Sequence, residues 1–232
     1  MKLSLILPLY NQYANIDHNF GKIYDELRHK YGGVGFELIL VNDGSTDSSE
    51  RLLYRLSRLK GVQLISKRRQ GGRGAAIKDA VAMARGDVIG YMDVDLSVPL
   101  PYMHKAVRMV LRGNKVVVGS RYIKGAAAAR SPVRLVESKL YNILINLAFN
   151  TGISDHQCGF KFWDAKYIRA AARRVRDDHW FFDTEMLVDA RAHGLSILEI
   201  PVSWSESEET TTSPGDIVYF IECIIRHKLR SI

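Results

Sequence analysis

Only two cysteines occur among the 232 residues, Cys158 and Cys223. They lie far apart and neither has a C-x-x-C partner, which excludes a disulfide framework and a cysteine-rich zinc site and fits a reducing compartment. His156 stands two residues from Cys158, but two potential ligands without a third do not make a zinc centre. Long apolar runs are also missing. No stretch approaches the ~18 residues of a spanning helix, and Pro8 interrupts MKLSLILPLYNQ where a signal peptide would continue its apolar core. The chain is therefore expected to be cytoplasmic and no more than peripheral to a membrane. Glycine fingerprints are absent where nucleotide folds need them. The first apolar run is followed by Pro8-Leu9-Tyr10-Asn11, and Gly72-Arg73-Gly74-Ala75-Ala76-Ile77 ends on Ile where Gly or Ala belongs, which disfavours a hydride-transfer enzyme. Gly21-Lys22 has neither the upstream glycine nor the following Ser or Thr of a P-loop, which disfavours an NTPase.

What is present is the composition of an ordinary soluble globular protein, 47% hydrophobic and 25% charged. The net charge of +8 suggests an anionic partner without choosing among nucleic acid, phosphate-bearing substrates and acidic membrane. Short runs rich in Leu, Ile and Val alternate with helix-period segments, the pattern of a parallel sheet built from βαβ units. The runs Leu3–Leu7, Phe36–Val41, Val62–Ile65, Val88–Met92 and Lys115–Val118 are the predicted strands of an α/β fold, with Cys158–Trp163 and Ile197–Trp204 to follow. Helices are expected over Ile16–Tyr31, after an Asp47/Glu50 capping box, from the glycine-bearing stretch Gln70–Gly74 to about Arg85, and at Asp164–Val175 and Asp183–His193. Gly125 and Ala126–Ala129 read as a surface loop. No repeat or long linker divides the chain, so residues 1–232 read as one domain. It carries a helix at about 132–149 and an amphipathic terminal helix at about 214–232, whose stripe suits either packing on the sheet or binding at a lipid interface.

Ligands of open α/β sheets bind beyond the carboxyl ends of the strands, and the residues there are unusually chemical. Asp43 follows the second strand, Asp93-Val94-Asp95 the fourth and Arg121 the fifth. Three carboxylates facing one crevice would need a divalent cation or a proton donor. Asp93 and Asp95, one residue apart, describe a Mg²⁺ or Mn²⁺ site with room for water and substrate phosphate; the bland alternative for such a pair is a turn or a helix cap. On the helix after Pro132, Arg134, Ser138, Asn142 and Asn146 recur every fourth position and share one face, while the rest is largely apolar. That suits a phosphate head with a hydrocarbon tail, or an ordinary core helix with a solvated stripe.

Taken together, LSLILPLYNQ, ELILVNDGSTDSS, GGRGAAIKDAVAMARGDVIGYMDVDLSVP, VVVGSRYIKG, SDHQCGFKFW and WFFDTEMLVDARAHGLSILEIPVSWSE occur in the order found in GT-A family 2 glycosyltransferases. More narrowly, the chain resembles the dolichyl-phosphate glucose and mannose synthases. The resemblance implies a GT-A fold and inverting transfer of a sugar from a nucleotide sugar of UDP-glucose or GDP-mannose type to a polyprenyl phosphate, with Mg²⁺ or Mn²⁺. It further implies that Pro8, Tyr10, Gln12, Val41, Asp43, Arg73 and Val94 form the donor site, with Gln12 standing where the family commonly has Glu. Asp93 and Asp95 would meet metal and diphosphate, Arg121 the sugar or acceptor phosphate, and Arg134 and Ser138 the lipid phosphate. Asp183 falls where many family 2 enzymes carry a base, but a phosphate acceptor already bears its negative charge, so a positioning role is expected of it. After Trp204 the family usually offers a basic residue, whereas Glu206, Glu208 and Glu209 stand here.

The nearest alternative is the same fold acting on a hydroxyl acceptor, for which Asp183 would be needed as base. A nucleic-acid-binding module is disfavoured by three acids at the mouth of the crevice, so the expected partners are nucleotide sugar, polyprenyl phosphate and the cytoplasmic face of a membrane.

Overall fold

The computed structural model describes residues 2–129, 131–205 and 215–230. In chain order these form β1 (Leu3–Leu9), α1 (Tyr13–Tyr31), β2 (Phe36–Asn42), α2 (Ser49–Leu56), β3 (Val62–Ser66), α3 (Arg73–Met83), β4 (Val88–Tyr91) and α4 (Leu100–Leu111). There follow β5 (Val116–Ser120), β6 (Ala127–Ala129), α5 (Pro132–Phe149), β7 (Lys161–Asp164), α6 (Ala165–Arg174), α7 (Phe182–Ala192), β8 (Ile197–Pro201), β9 (Ser203–Ser205) and α8 (Gly215–Arg230). Seven strands make one sheet in the order β3-β2-β1-β4-β7-β5-β8, parallel except for β7, which runs antiparallel between β4 and β5.

Period-two alternation sends the strand side chains into two cores. Leu3, Leu5, Leu7 and Leu9 of β1, with Leu38 and Leu40 of β2, face α1, α2 and α4. Ile6, Ile39 and Val41 point the other way, onto residues of α3, α6 and α7. The strand order reverses between β1 and β4, the point at which open α/β sheets form a binding crevice at the carboxyl edge. Because β7 is antiparallel, Lys161 at its start pairs with Tyr91 at the end of β4, and the preceding segment Asp155–Phe160 is delivered to that same edge.

Several local expectations are corrected. Ala127–Ala129 is a strand paired with Ser203–Ser205; alanine is a poor strand former, so only the long-range pairing makes it one. The expected strand Ile197–Trp204 divides at Val202, whose N–H turns to the Ser120 carbonyl. Glu50 closes no capping box. Its carboxylate accepts from Ser66, while Asp47 accepts from the backbone of Ser49 and Tyr13. Helix α4 had no counterpart in the sequence reading, although Met103, Ala106, Val107 and Val110 are spaced to bury one face.

Helix α8 packs away from the sheet. Phe220 and Cys223 join Tyr141 and Ile145 of α5 and Phe181 and Val188 near α7 in a third apolar cluster. Ile221 and Ile225 of α8 remain exposed.

Candidate active site

The crevice is assembled from the loops that follow β1, β2 and β4, from the start of α3 and α7, and from the segment entering β7. Asn11, in the left-handed region at φ 52°, stitches the first two loops together. Its amide oxygen accepts from the Thr46 N–H at 2.7 Å, and its own N–H donates to Ser45. Pro8 and Gln12 are half-buried and Tyr10 is exposed beside them. Val41 is fully buried in the second core, and Val94 lies in the first with its carbonyl accepting from Asn19.

Asp43 is buried, and both its oxygens are engaged. They accept the N–H groups of Gly71 at 3.0 Å and Gly72 at 2.8 Å and face Lys67 at 3.0 Å. Asp43 thereby fixes the turn that opens α3. Gly72 has φ +101°, and a Cβ there would lie 2.2 Å from the Asp178 carbonyl oxygen, so only glycine fits.

The turn aims Arg73, the first residue of α3, across the crevice. Its Nη1 donates to Asp93 at 2.6 Å and its Nε lies 3.3 Å from Asp183, while its Nη2 is buried with no hydrogen-bond partner among the described residues. Asp183 also accepts from Lys161 Nζ at 2.6 Å and from the Tyr91 hydroxyl at 2.9 Å. Lys161 is 0% exposed and donates in addition to the Cys158 carbonyl. Burial works against the Asp183 carboxylate, but Lys161 and Arg73 outweigh it and hold the pKa below the ordinary value. Asp93 is shifted the opposite way: desolvation, with Asp95 and Asp183 nearby, raises its pKa despite Arg73.

The grouping of charges differs from the expected trio of Asp43, Asp93 and Asp95. Asp43 has its own counter-ion in Lys67, and Asp183 takes its place beside Asp93, so Lys161, Asp183, Arg73 and Asp93 alternate in sign through the floor of the site. Protein cations therefore compensate most of the repulsion that the sequence reading assigned to a divalent ion or a proton. Asp95 accepts from the Ser97 N–H, closing a tight turn in which Leu96 adopts φ +56°. Gly159 presses against this cluster, since a Cβ there would come 2.2 Å from Asp93 Oδ2 and 2.8 Å from Arg73 Nη2.

Among the described residues no three metal-ligating side chains converge. Asp93 and Asp95 are hard oxygen donors that leave most of a coordination shell to water and substrate phosphate, as Mg²⁺ and Mn²⁺ accept. Arg73 Nη2 beside them, buried with no hydrogen-bond partner among the described residues, is a donor that a phosphate oxygen would satisfy.

On the other side of the crevice Arg121 forms a fork with Asp155, Nε and Nη2 lying 2.7 and 2.8 Å from the two carboxylate oxygens. The rings of Tyr122 and Trp204 flank the guanidinium. Asp155 is oriented in turn by Glu199, which accepts the N–H groups of Ser154 and Asp155. Ser138 is buried with its hydroxyl 2.6 Å from that of Tyr122, and Arg134 is half-buried on the same helix. Asn142 accepts from the His156 backbone and lies 2.7 Å from its ring nitrogen, and Asn146 donates to the Ile153 carbonyl.

The polar stripe of α5, which the alternative of an ordinary core helix would leave solvated, is turned inward at Ser138 and Asn142. Tyr141 and Ile145 are buried beside it in the third apolar cluster, while Val133, Val136, Leu140, Ile143, Leu144 and Leu147 face out, Leu147 at 77% exposure. Residues Glu206, Glu208 and Glu209 lie outside the described residues.

From the sequence alone no role is expected of Gly159, Lys161, Asp155 or Glu199. A signal existed for Lys161: a lone cation within the apolar run Phe160–Trp163 must find a buried partner.

A mostly parallel sheet flanked by helices, with carboxylates at its switch point, is the GT-A class of fold. The solved glucosyl-3-phosphoglycerate synthase of Mycobacterium tuberculosis, in a complex with Mn²⁺, UDP-glucose and glycerol 3-phosphate, superposes with a TM-score of 0.69. It is 18% identical, and the match covers 97% of this chain and 77% of that one. Residues 4–170 match glycosyl transferase family 2, and the chain belongs to that family. It is 32% identical over 212 residues to glycosyltransferase AglD of Haloferax volcanii, covering 90% of this chain and 34% of the relative. It is 28% identical to a dolichyl-phosphate beta-glucosyltransferase, ALG5C, of Trichomonas vaginalis, covering 88% and 64%. The chain thus spans only about one third and two thirds of the lengths of these two relatives. No helix among the described residues is long and apolar enough to cross a membrane.

Proposed function

We propose that this chain transfers a hexosyl group, with inversion, from a nucleotide sugar to a polyprenyl phosphate at a membrane surface. The observation that carries this reading is the inverted helix α5, which turns Ser138, Asn142 and Asn146 toward the segment holding Arg121 and presents an apolar stripe outward. A phosphate seat beside a hydrocarbon-facing surface is what a lipid-linked phosphate requires. The named activity of the ALG5C relative supports the same acceptor class.

Pro8, Tyr10, Gln12, Val41, Asp43 and Val94 form the nucleoside end of the donor site in this reading, through backbone as well as side chains. Arg73 offers its unpartnered Nη2 to the diphosphate. A divalent cation, Mg²⁺ or Mn²⁺, held by Asp93 and Asp95 would supply neutralisation of the leaving charge. Arg121, fixed by Asp155, and Arg134 with Ser138 orient the acceptor phosphate. A phosphate oxygen attacks the anomeric carbon as the bond to the nucleoside diphosphate breaks, and no proton has to move. Asp183, held below the ordinary pKa by Lys161 and Arg73, is a poor base and a good anchor. That disfavours a hydroxyl acceptor, which needs a base.

The reading is tested with labelled UDP-glucose, GDP-mannose and UDP-N-acetylglucosamine against a polyprenyl phosphate in Mn²⁺ or Mg²⁺. One donor should give a glycosylated lipid phosphate, and Asp93→Ala should cut the rate by on the order of 10²-fold or more. Undiminished turnover in excess EDTA, or transfer to hydroxyl acceptors alone, would overturn it.

A further inference from the structure

The position of Arg73 carries a consequence for the order in which the site fills. Its Nη1 sits 2.6 Å from Asp93 Oδ1, while Asp93 Oδ2 lies against Gly159, where even a methyl group would come within 2.2 Å. The carboxylate is thus bracketed on both sides, with the guanidinium in the place of a counter-ion. Asp183, the other anion within reach of Arg73, is already neutralised by Lys161 at 2.6 Å and bonded by Tyr91, so the charge of Arg73 is directed mainly to Asp93. Its Nη2 is buried with no partner among the described residues, and a buried guanidinium nitrogen without an acceptor is costly. A diphosphate carries several acceptor oxygens and matches the fork geometry.

We infer that Arg73 and a divalent cation are alternative counter-ions of Asp93, and that a nucleoside diphosphate, by accepting the Arg73 guanidinium, frees the carboxylate for the cation. Metal alone binds weakly because it must displace a charge-assisted hydrogen bond and leave a cation beside another cation. Metal and nucleotide together bind as a pair, each raising the affinity for the other by the same factor. The device keeps the acidic crevice compensated when no donor is present, and Lys161, by occupying Asp183, keeps Arg73 at its post. The inference rests on the reading above that Asp93 holds the cation.

Mn²⁺ is the probe, with free ion read by its paramagnetic resonance signal, in protein alone and with UDP or GDP in parallel after subtraction of nucleotide blanks. In the unaltered protein one nucleotide should raise the Mn²⁺ affinity about tenfold or more, within the range of coupling between linked sites. Arg73→Gln should raise the affinity for Mn²⁺ alone by about tenfold and remove most of the gain from nucleotide. A structural role for Arg73 would lower both affinities instead. Equal Mn²⁺ affinity with and without either nucleotide in the unaltered protein overturns the inference without any variant, as does an Arg73→Gln protein that binds Mn²⁺ alone no better. Asp93→Asn separates the two readings. If it abolishes Mn²⁺ binding while Arg73→Gln changes nothing, the exchange falls and the metal site stands; if Mn²⁺ binding survives it, both fall.

Discussion

The floor of the site and the inward face of α5 hold polar groups of different kinds. Beneath the strand ends, full charges alternate from Lys161 through Asp183 and Arg73 to Asp93. The inward face of α5 instead offers neutral amides and a hydroxyl, Asn142, Asn146 and Ser138, bonded to His156, Ile153 and Tyr122. Charges can be buried only when paired and hydrogen-bonded, so the geometry of the floor is set by its ion pairs. Amides need only satisfied hydrogen bonds, and they let a helix turn its apolar face outward while its inner face stays closed.

The contrast breaks most severely at Lys161. Lys161→Met leaves Asp183 buried with a weaker set of partners. Urea unfolding should show a loss of about 3–5 kcal/mol, the range for removing one member of a buried pair, and a loss below 1 kcal/mol would mean that the charge chain is not coupled. The same substitution paired with Asp183→Asn should recover part of the loss.

Acidification separates the buried imidazole against α5 from the buried carboxylates, because the two fail in different pH windows. His156 is fully buried among Asn142 and Thr151, and burial pushes its pKa down to about 4. Between the ordinary histidine value of about 6.5 and that pKa, the unfolded chain binds a proton that the folded chain refuses. Stability therefore falls as the pH drops through this window. Asp155 and Asp183 have folded pKa values below the ordinary one. Their contribution is complete above about pH 3.9 and is lost only as the pH falls further. Unfolding measured from pH 7 to 3 should show the earlier loss, and His156→Gln should flatten it without touching the later one.

The smallest effect on stability belongs to the outer face of α5. Leu147→Ser should change unfolding free energy by no more than about 0.5 kcal/mol, as for surface positions generally. Asn142→Ala, one face away, should cost about 1–3 kcal/mol by leaving buried partners unsatisfied. Retention on anionic vesicles should respond the other way and weaken with Leu147→Ser. Equal vesicle retention for that variant would remove the outward stripe from the membrane reading.

Much of this architecture was legible in the chain. The apolar runs around Leu5, Leu38, Ile65, Ile89 and Val117 are strands, and Asp43, Asp93 and Arg121 stand beyond three of them, because backbone period and turn chemistry are local properties. The α5 range 132–149 could be read from its period for the same reason. Which face of α5 turns inward could not be read. Period defines the faces, but most of the apolar one is left exposed here: only Tyr141 and Ile145 are buried, against Phe181, Val188, Phe220 and Cys223, while Tyr122, His156 and the Ile153 carbonyl select the polar stripe. Nor could the antiparallel insertion of β7, which places Lys161 beside Tyr91. Arg73 and Asp183 are 110 residues apart, and no local pattern couples them. Their pairing is decided by tertiary structure alone, since the burial that makes a charge costly, and so selects its partner, exists only once the sheet and both helix layers have closed around it.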